Sequence, residues 1–304
     1  MASQSAIQQS LQSYKTVSSV EDFQSLRNKV VVITVKYIFA EPQVVADTIA
    51  GGGDGIGLAL VKAVVEFGGH VAVVGNREVA HLDLCEIQDL HKESRVKYFR
   101  ADISEETLLT KAFDGILAEF GRIDGVIACA GICVEKPFVD HTWEEVVRLH
   151  MVNSVGLFFT VQLAVKAMLK NQPTSDNLIL IPKGSVILIG SIATESGVES
   201  QGLTAYSASK GAANGLLRGL AVELAPKGIR VNMISPGHTI TDMSISQFTN
   251  RPAMATIMRN AIPMGRMADS RDLKGAAIYF LSDASLYTTG SNLVISGGLH
   301  AGRL

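Results

Sequence analysis

Short apolar runs alternate with longer amphipathic stretches along most of this chain. Val30–Thr34 (VVVIT), His70–Val74, Val96–Phe99, Gly125–Cys129, Val186–Ile189, Arg230–Ile234 and Asn292–Ile295 are short and rich in β-branched residues. Such runs read as strands buried on both faces of a sheet. Gly57–Phe67, Leu108–Phe120, Trp143–Lys170, Ser207–Leu224 and Leu273–Leu281 carry helical spacing instead. Strand and helix in turn predict an α/β fold: a doubly wound, mostly parallel, seven-stranded sheet with helices on both faces. No repeat or low-complexity linker interrupts the alternation. Residues 29–304 therefore read as one domain, and residues 1–28 as a loosely attached N-terminal extension.

Composition narrows the picture. The 304 residues are 47% hydrophobic and 18% charged, with a net charge of -2. That is ample material for a core, and it leaves no basic footprint for nucleic acid. The three cysteines, Cys85, Cys129 and Cys133, have no ligand spacing. They argue for a reducing compartment and against a disulfide framework or a metal site. The N-terminus lacks the apolar core of a signal peptide, and no apolar run has the length of a membrane span. A cytoplasmic protein with no membrane partner is expected. The terminal Gly302-Arg303-Leu304 fits a peroxisomal address poorly because of Gly302.

Two local patterns carry chemistry. Tyr206 and Lys210 stand four residues apart in a helical run, so they share a face. An ammonium near a phenol favours the phenolate, which suits the phenol to proton exchange near neutral pH. The second pattern is Gly51-Gly52-Gly53-Asp54-Gly55-Ile56-Gly57 at the opening of a helix. Gly51, Gly55 and Gly57 permit a tight turn and a close backbone approach, and the helix N-terminus, from Ile56, offers free N–H groups to a pyrophosphate. At the end of the second long strand the chain reads Val74-Gly75-Asn76-Arg77. The carboxylate that would bind an NAD ribose is missing, and Arg77 could meet a 2′-phosphate. The expected cofactor is NADP(H) rather than NAD(H).

In order along the chain, these pieces resemble the short-chain dehydrogenase/reductase family, over about residues 28–298. Thr34 and the Gly51–Gly57 loop are similar to its TGxxxGIG signature. Asp102 and Ile103 match the pair that flanks the adenine, and Ala128-Cys129-Ala130-Gly131 stands where the family has NNAG. Asn153 matches the helix asparagine and Ser191 the catalytic serine. Tyr206 and Lys210 match YxxxK, and Pro236, Gly237 and Thr241 match the segment that holds the nicotinamide carboxamide. The resemblance implies a Rossmann fold and an oxidoreductase that interconverts a ketone and a secondary alcohol by hydride transfer. In it Tyr206 is the general acid and Lys210 lowers the phenol pKa and binds ribose hydroxyls. Ser191 hydrogen-bonds the substrate oxygen, and Asn153 holds a water that leads from Lys210 to solvent. It also implies a homotetramer or homodimer joined through the long helices, and a small-molecule ketone or alcohol as substrate.

Three departures qualify this. Ala128 and Cys129 replace two asparagines, and Cys129 reads as a packed hydrophobe. The Ser191-to-Tyr206 interval is slightly long, with Glu195–Thr204 over the substrate side. Most important, sixteen residues, Val35–Ala50, separate the first strand from its glycine loop; without them the chain reads VVVIT-GGGDGIG. Either Val30–Thr34 stays in the sheet and the insert loops out, which its apolar character favours, or Val44–Ala50 takes the strand slot. The insert supports a second reading, a catalytically impaired binding or regulatory relative. Residues 242–270 should cover the substrate. They hold Met243, Met254, Met258, Met264 and Met267, which suit an adaptable apolar wall.

Overall fold

In the computed structural model the described residues are 23–35, 48–49, 55–78, 82–171, 183–197, 201–241 and 252–302. Most of the extension (1–22), residues 36–47 and Ala50 of the insert, Gly51 with the rest of the loop to Asp54, and 242–251 of the cover lie outside them.

Seven strands form one parallel sheet: β1 (Val30–Thr34), β2 (His70–Gly75), β3 (Val96–Arg100), β4 (Gly125–Ala128), β5 (Gly184–Ile189), β6 (Ile229–Pro236) and β7 (Asn292–Ile295). Their spatial order is β7-β6-β5-β4-β1-β2-β3. The chain winds outward from β1 through β2 to β3, then returns to β4 and winds the other way. The switch point, where ligands bind in open α/β sheets, is therefore the carboxyl end of β1 beside β4. All five residues of β1 are buried, because helices cover both faces. Val30 and Val32 point into one core cluster and Val31 and Ile33 into the other, as strand alternation requires.

Of the two alternatives for the strand slot, the first holds. Val30–Thr34 pairs with both β2 and β4. Beyond it the chain is next described at Thr48–Ile49, which pairs antiparallel with Cys133–Val134 outside the main sheet. Leu26, inside the expected extension, is fully buried and its N–H bonds the Phe67 carbonyl at 2.9 Å.

The helices are α1 (Ile56–Glu66), α2 (Leu82–Leu90), α3 (Glu106–Phe120), α4 (Trp143–His150), α5 (Leu157–Met168), α6 (Thr204–Leu224), α7 (Pro252–Ala261) and α8 (Lys274–Leu281). Helix α2, with weak apolar periodicity, and α7 of the cover were not marked out by spacing. Helices α4 and α5 are one continuous helix, Trp143–Met168, joined by a wider π-helical turn at Met151–Gly156. This 26-residue helix is long and apolar enough to cross a membrane, which the apolar runs did not suggest, but 56% of its apolar window is buried inside the fold. It is a core helix: Val152, Leu157 and Val161 are buried on it, and it packs on α3 and β4.

Candidate active site

Parallel strands bring their carboxyl ends to one edge, and the expected site residues gather there. Ser191 follows β5, Gly131 follows β4, and Pro236 ends β6. Helix α6 starts beside them. Its entry is set by Gly202, which lies in the left-handed region (φ 54°) where a side chain would run into the Lys136 carbonyl, so glycine is required there. The helix then turns Ala205, Ser209, Lys210, Ala213 and Leu217 inward.

Lys210 is 5% exposed, and its Nζ donates to the Ile189 carbonyl at 2.9 Å. A Cβ added at Gly131 would stand 3.1 Å from that Nζ and 3.2 Å from Asn153 Oδ1. The absence of a side chain at Gly131 is what lets the ammonium lie across the end of β4. Asn153 sits in the π-helical turn, a feature that often marks a functional position. Its Oδ1 accepts from the Ile132 N–H at 2.9 Å, and its Nδ2 donates to the Ile132 carbonyl at 2.8 Å and to Ser209 Oγ at 2.9 Å. Both amide donors are thus committed to fixing the end of β4 and helix α6. Ser209, which the sequence did not single out, donates in turn to the Tyr206 carbonyl at 2.7 Å. Its signal was its place inside the Tyr206–Lys210 run.

Ser191 is 8% exposed, and its Oγ accepts from the Ala193 N–H at 3.2 Å. The same hydroxyl is a hydrogen-bond partner of the Tyr206 phenol. Burial raises the phenol pKa well above its ordinary value, and the Ser191 bond only partly opposes this. The expected lowering by Lys210 is not found: the phenol is set by burial and by the neighbouring Cys133, with Ser191 the opposing group. Burial also lowers the Lys210 pKa. Cys129 packs against the core, and burial pushes its thiol up to about 11, so it is an inert packed side chain. Among the described residues no group of three His, Cys, Asp or Glu side chains is placed to hold a metal.

The residues expected to hold a dinucleotide divide into two sets. Around Gly131, Lys210 and Ser191 the bare backbone and polar groups fit the nicotinamide ribose end, while the bare backbone of Gly237 accommodates Ser296. Thr34 and Ile103 are committed elsewhere. Thr34 Oγ1 accepts from the Cys129 and Ala130 N–H groups at 3.1 and 3.2 Å, and the Ile103 side chain packs toward Gly156. Asp102 accepts from the Ser104 N–H and hydroxyl at 3.0 and 2.7 Å. Thr241 is buried. Arg77 lies past the end of β2, where its carbonyl accepts from the Tyr98 hydroxyl at 2.9 Å. The other set does not fit. Between Gly57 at the start of α1 and Gly75 at the end of β2, where the pyrophosphate and adenosine ribose would pass, stands the Val35 side chain. A Cβ added at Gly57 would overlap Val35 Cγ1, and one at Gly75 would lie 3.0 Å from Val35 Cγ2 and 3.0 Å from the Tyr98 hydroxyl.

The chain is similar to known proteins. The family described as Enoyl-(Acyl carrier protein) reductase matches residues 50–300. An NADP-dependent (R)-specific alcohol dehydrogenase of Lentilactobacillus kefiri is 32% identical over 257 residues, 83% of this chain and 95% of that protein. A solved short-chain type dehydrogenase/reductase from Mycobacterium marinum superposes with a TM-score of 0.75 at 30% identity, over 92% of this chain and 99% of the other. An NADPH-dependent 3-quinuclidinone reductase from Rhodotorula rubra does so with a TM-score of 0.78 at 28% identity, over 94% and 96%. With the sheet order, the ordered motifs and these matches in agreement, the chain belongs to the short-chain dehydrogenase/reductase family.

Proposed function

We propose that the protein is an NADP(H)-dependent oxidoreductase that interconverts a ketone and a secondary alcohol. The observation that carries this reading is the convergence of Ser191, Tyr206 and Lys210 at the carboxyl ends of β5 and β4. A phenol whose pKa is raised by burial holds its proton at neutral pH, the form a general acid needs toward a carbonyl oxygen. The Ser191 hydroxyl beside it can donate to the same oxygen as negative charge develops. Lys210 Nζ, anchored on the Ile189 carbonyl beside Gly131, is set to meet ribose hydroxyls. Asn153 holds these parts in register, and the lone pair left on its Oδ1 could hold a water toward Lys210. The nicotinamide, when bound, would supply the hydride. The NADP-dependent names of two relatives, Arg77 after β2 and the missing carboxylate there support NADP(H) over NAD(H).

The cover supports a medium-sized substrate with apolar character. Met258, Ile262 and Met267 form a small buried cluster of their own. A homo-oligomer joined through the long helix is part of the same proposal. Trp143, Val147, Met151, Val155 and Phe158 are exposed at helical spacing along Trp143–Met168, an apolar stripe that a second copy would cover.

NADPH oxidation scored over a panel of ketones tests the reading; absence of turnover with every ketone, under conditions where NADPH binds, would refute it. A second reading, a binding or regulatory relative without turnover, is favoured by one observation, the Val35 side chain between Gly57 and Gly75.

A further inference from the structure

We infer that Val35 is a steric plug that sets how tightly this protein holds a dinucleotide. The sheet does not end at Thr34: the Val35 N–H donates to the Val74 carbonyl at 2.8 Å, so the backbone continues β1 by one residue. Alternation along that strand puts Val35 on the face of Val31 and Ile33, under the first turn of α1. There its two methyl groups divide the crevice between them. Cγ1 lies over Gly57 and Cγ2 over Gly75, and the Tyr98 hydroxyl closes the remaining side at Gly75. Two positions that offer bare backbone to a ligand are therefore filled by one aliphatic side chain. The position after Thr34 would be glycine if Val35–Ala50 were absent, since Gly51 would follow directly. Glycine there leaves the crevice open, whereas valine must leave it before a pyrophosphate can meet the N-terminus of α1. The chain is next described at Thr48–Ile49, paired with Cys133–Val134 beyond Gly131. Valine at position 35 thus takes part in the sheet on the adenosine side of β1, while the end of the insert is fixed on the catalytic side.

This inference rests on the oxidoreductase reading only for its choice of ligand. The test is titration of the full chain with NADPH, followed by cofactor fluorescence, for the native sequence, V35G and V35A. V35G should bind NADPH about tenfold tighter or more, on the scale by which relieving an overpacked site changes an equilibrium. V35A should fall between V35G and the native chain. Thermal melts report whether each variant is folded; if glycine at the strand end unfolds V35G, V35A carries the test alone. Folded variants that bind NADPH no tighter than the native chain, or a native chain and variants that all fail to bind, overturn the plug. The same proteins are then given the ketone panel. Tightening without turnover upholds the plug and defeats the oxidoreductase reading, and turnover without tightening does the reverse.

Discussion

The two ends of the site are built on opposite terms. At the proton-transfer end the named polar groups are held by partners from different elements: Lys210 from α6 on the β5 carbonyl of Ile189, Asn153 from the π turn on Ile132 and Ser209, and Ser191 on Tyr206. At the dinucleotide end the space between α1 and β2 is filled by the apolar Val35, in van der Waals reach of two glycines. One end is rigid and complete in the free protein. The other is closed by a side chain that gains nothing from a cofactor. Under the proposed function, a complete proton-transfer end does not imply a crevice open to a dinucleotide, and the two ends can be broken separately.

The largest effect should come from the rigid end. Y206F removes the proton donor and keeps the ring, so kcat for ketone reduction should fall by about 10²–10⁴-fold, with NADPH affinity nearly unchanged. Steady-state rates set beside a binding titration check this; loss of NADPH affinity with rates preserved would contradict the division of labour. The next effect is the V35G gain in NADPH affinity of about tenfold or more, with the opposite signature: binding changes while Tyr206 and Ser191 are untouched. The double variant V35G/Y206F should keep the tighter binding and the lost turnover, because Val35 and Tyr206 pack against different core clusters.

The rigid end was legible in the sequence because it rests on spacing. Tyr206 and Lys210 are one helical turn apart, which the spacing itself shows, and Ser191, just past a strand of largely apolar residues, was placed beside them by the resemblance to the family. The crevice was less legible. Val35 belonged to a run that read as an insert, and only the Val35–Val74 hydrogen bond reveals that the strand carries it into the sheet. The direction of the Tyr206 shift was also hidden. Charge proximity can be read from an i, i+4 pair, but desolvation depends on what the rest of the chain packs around it. Helix α2 escaped because its hydrophobic periodicity is weak, and the contacts of the Thr34 and Ile103 side chains with Cys129, Ala130 and Gly156 depend on tertiary packing that no spacing reveals.

A smaller effect separates the adenosine side from the rest of the crevice. The register pairs Gly75 with Arg100, so Arg100 ends the strand beside β2 and Arg77 follows just past β2; Arg100 also approaches Glu78 at 3.5 Å. R77A should weaken NADPH by about fivefold to tenfold and leave NADH unaffected, the scale of one exposed charge-assisted contact to a phosphate. The ratio of the two dissociation constants measures it. An unchanged ratio in a background where V35G has opened the crevice would remove Arg77 from 2′-phosphate recognition.

The smallest effect lies at the catalytic end and needs no ligand. His238 follows Gly237 past the end of β6; its Nε2 is buried without a partner among the described residues, and burial alone lowers its pKa from 6.5. The unfolded chain therefore takes up this proton at a higher pH than the folded one. As pH falls from 6.5 toward the folded pKa, the unfolded state gains relative to the native state, and stability declines through that window and then levels off. Above 6.5 both forms are neutral and the group contributes no slope. His70 is lowered in the same direction by burial and by Arg95, so the native melting curve alone would mix the two. The difference in melting temperature between the native chain and H238Q, followed from pH 7.5 down to about pH 5, isolates His238. H238Q should lose less stability on acidification. Parallel curves would mean that position 238 takes up its proton equally in both states, and that the segment after β6 is more open to water than its burial suggests.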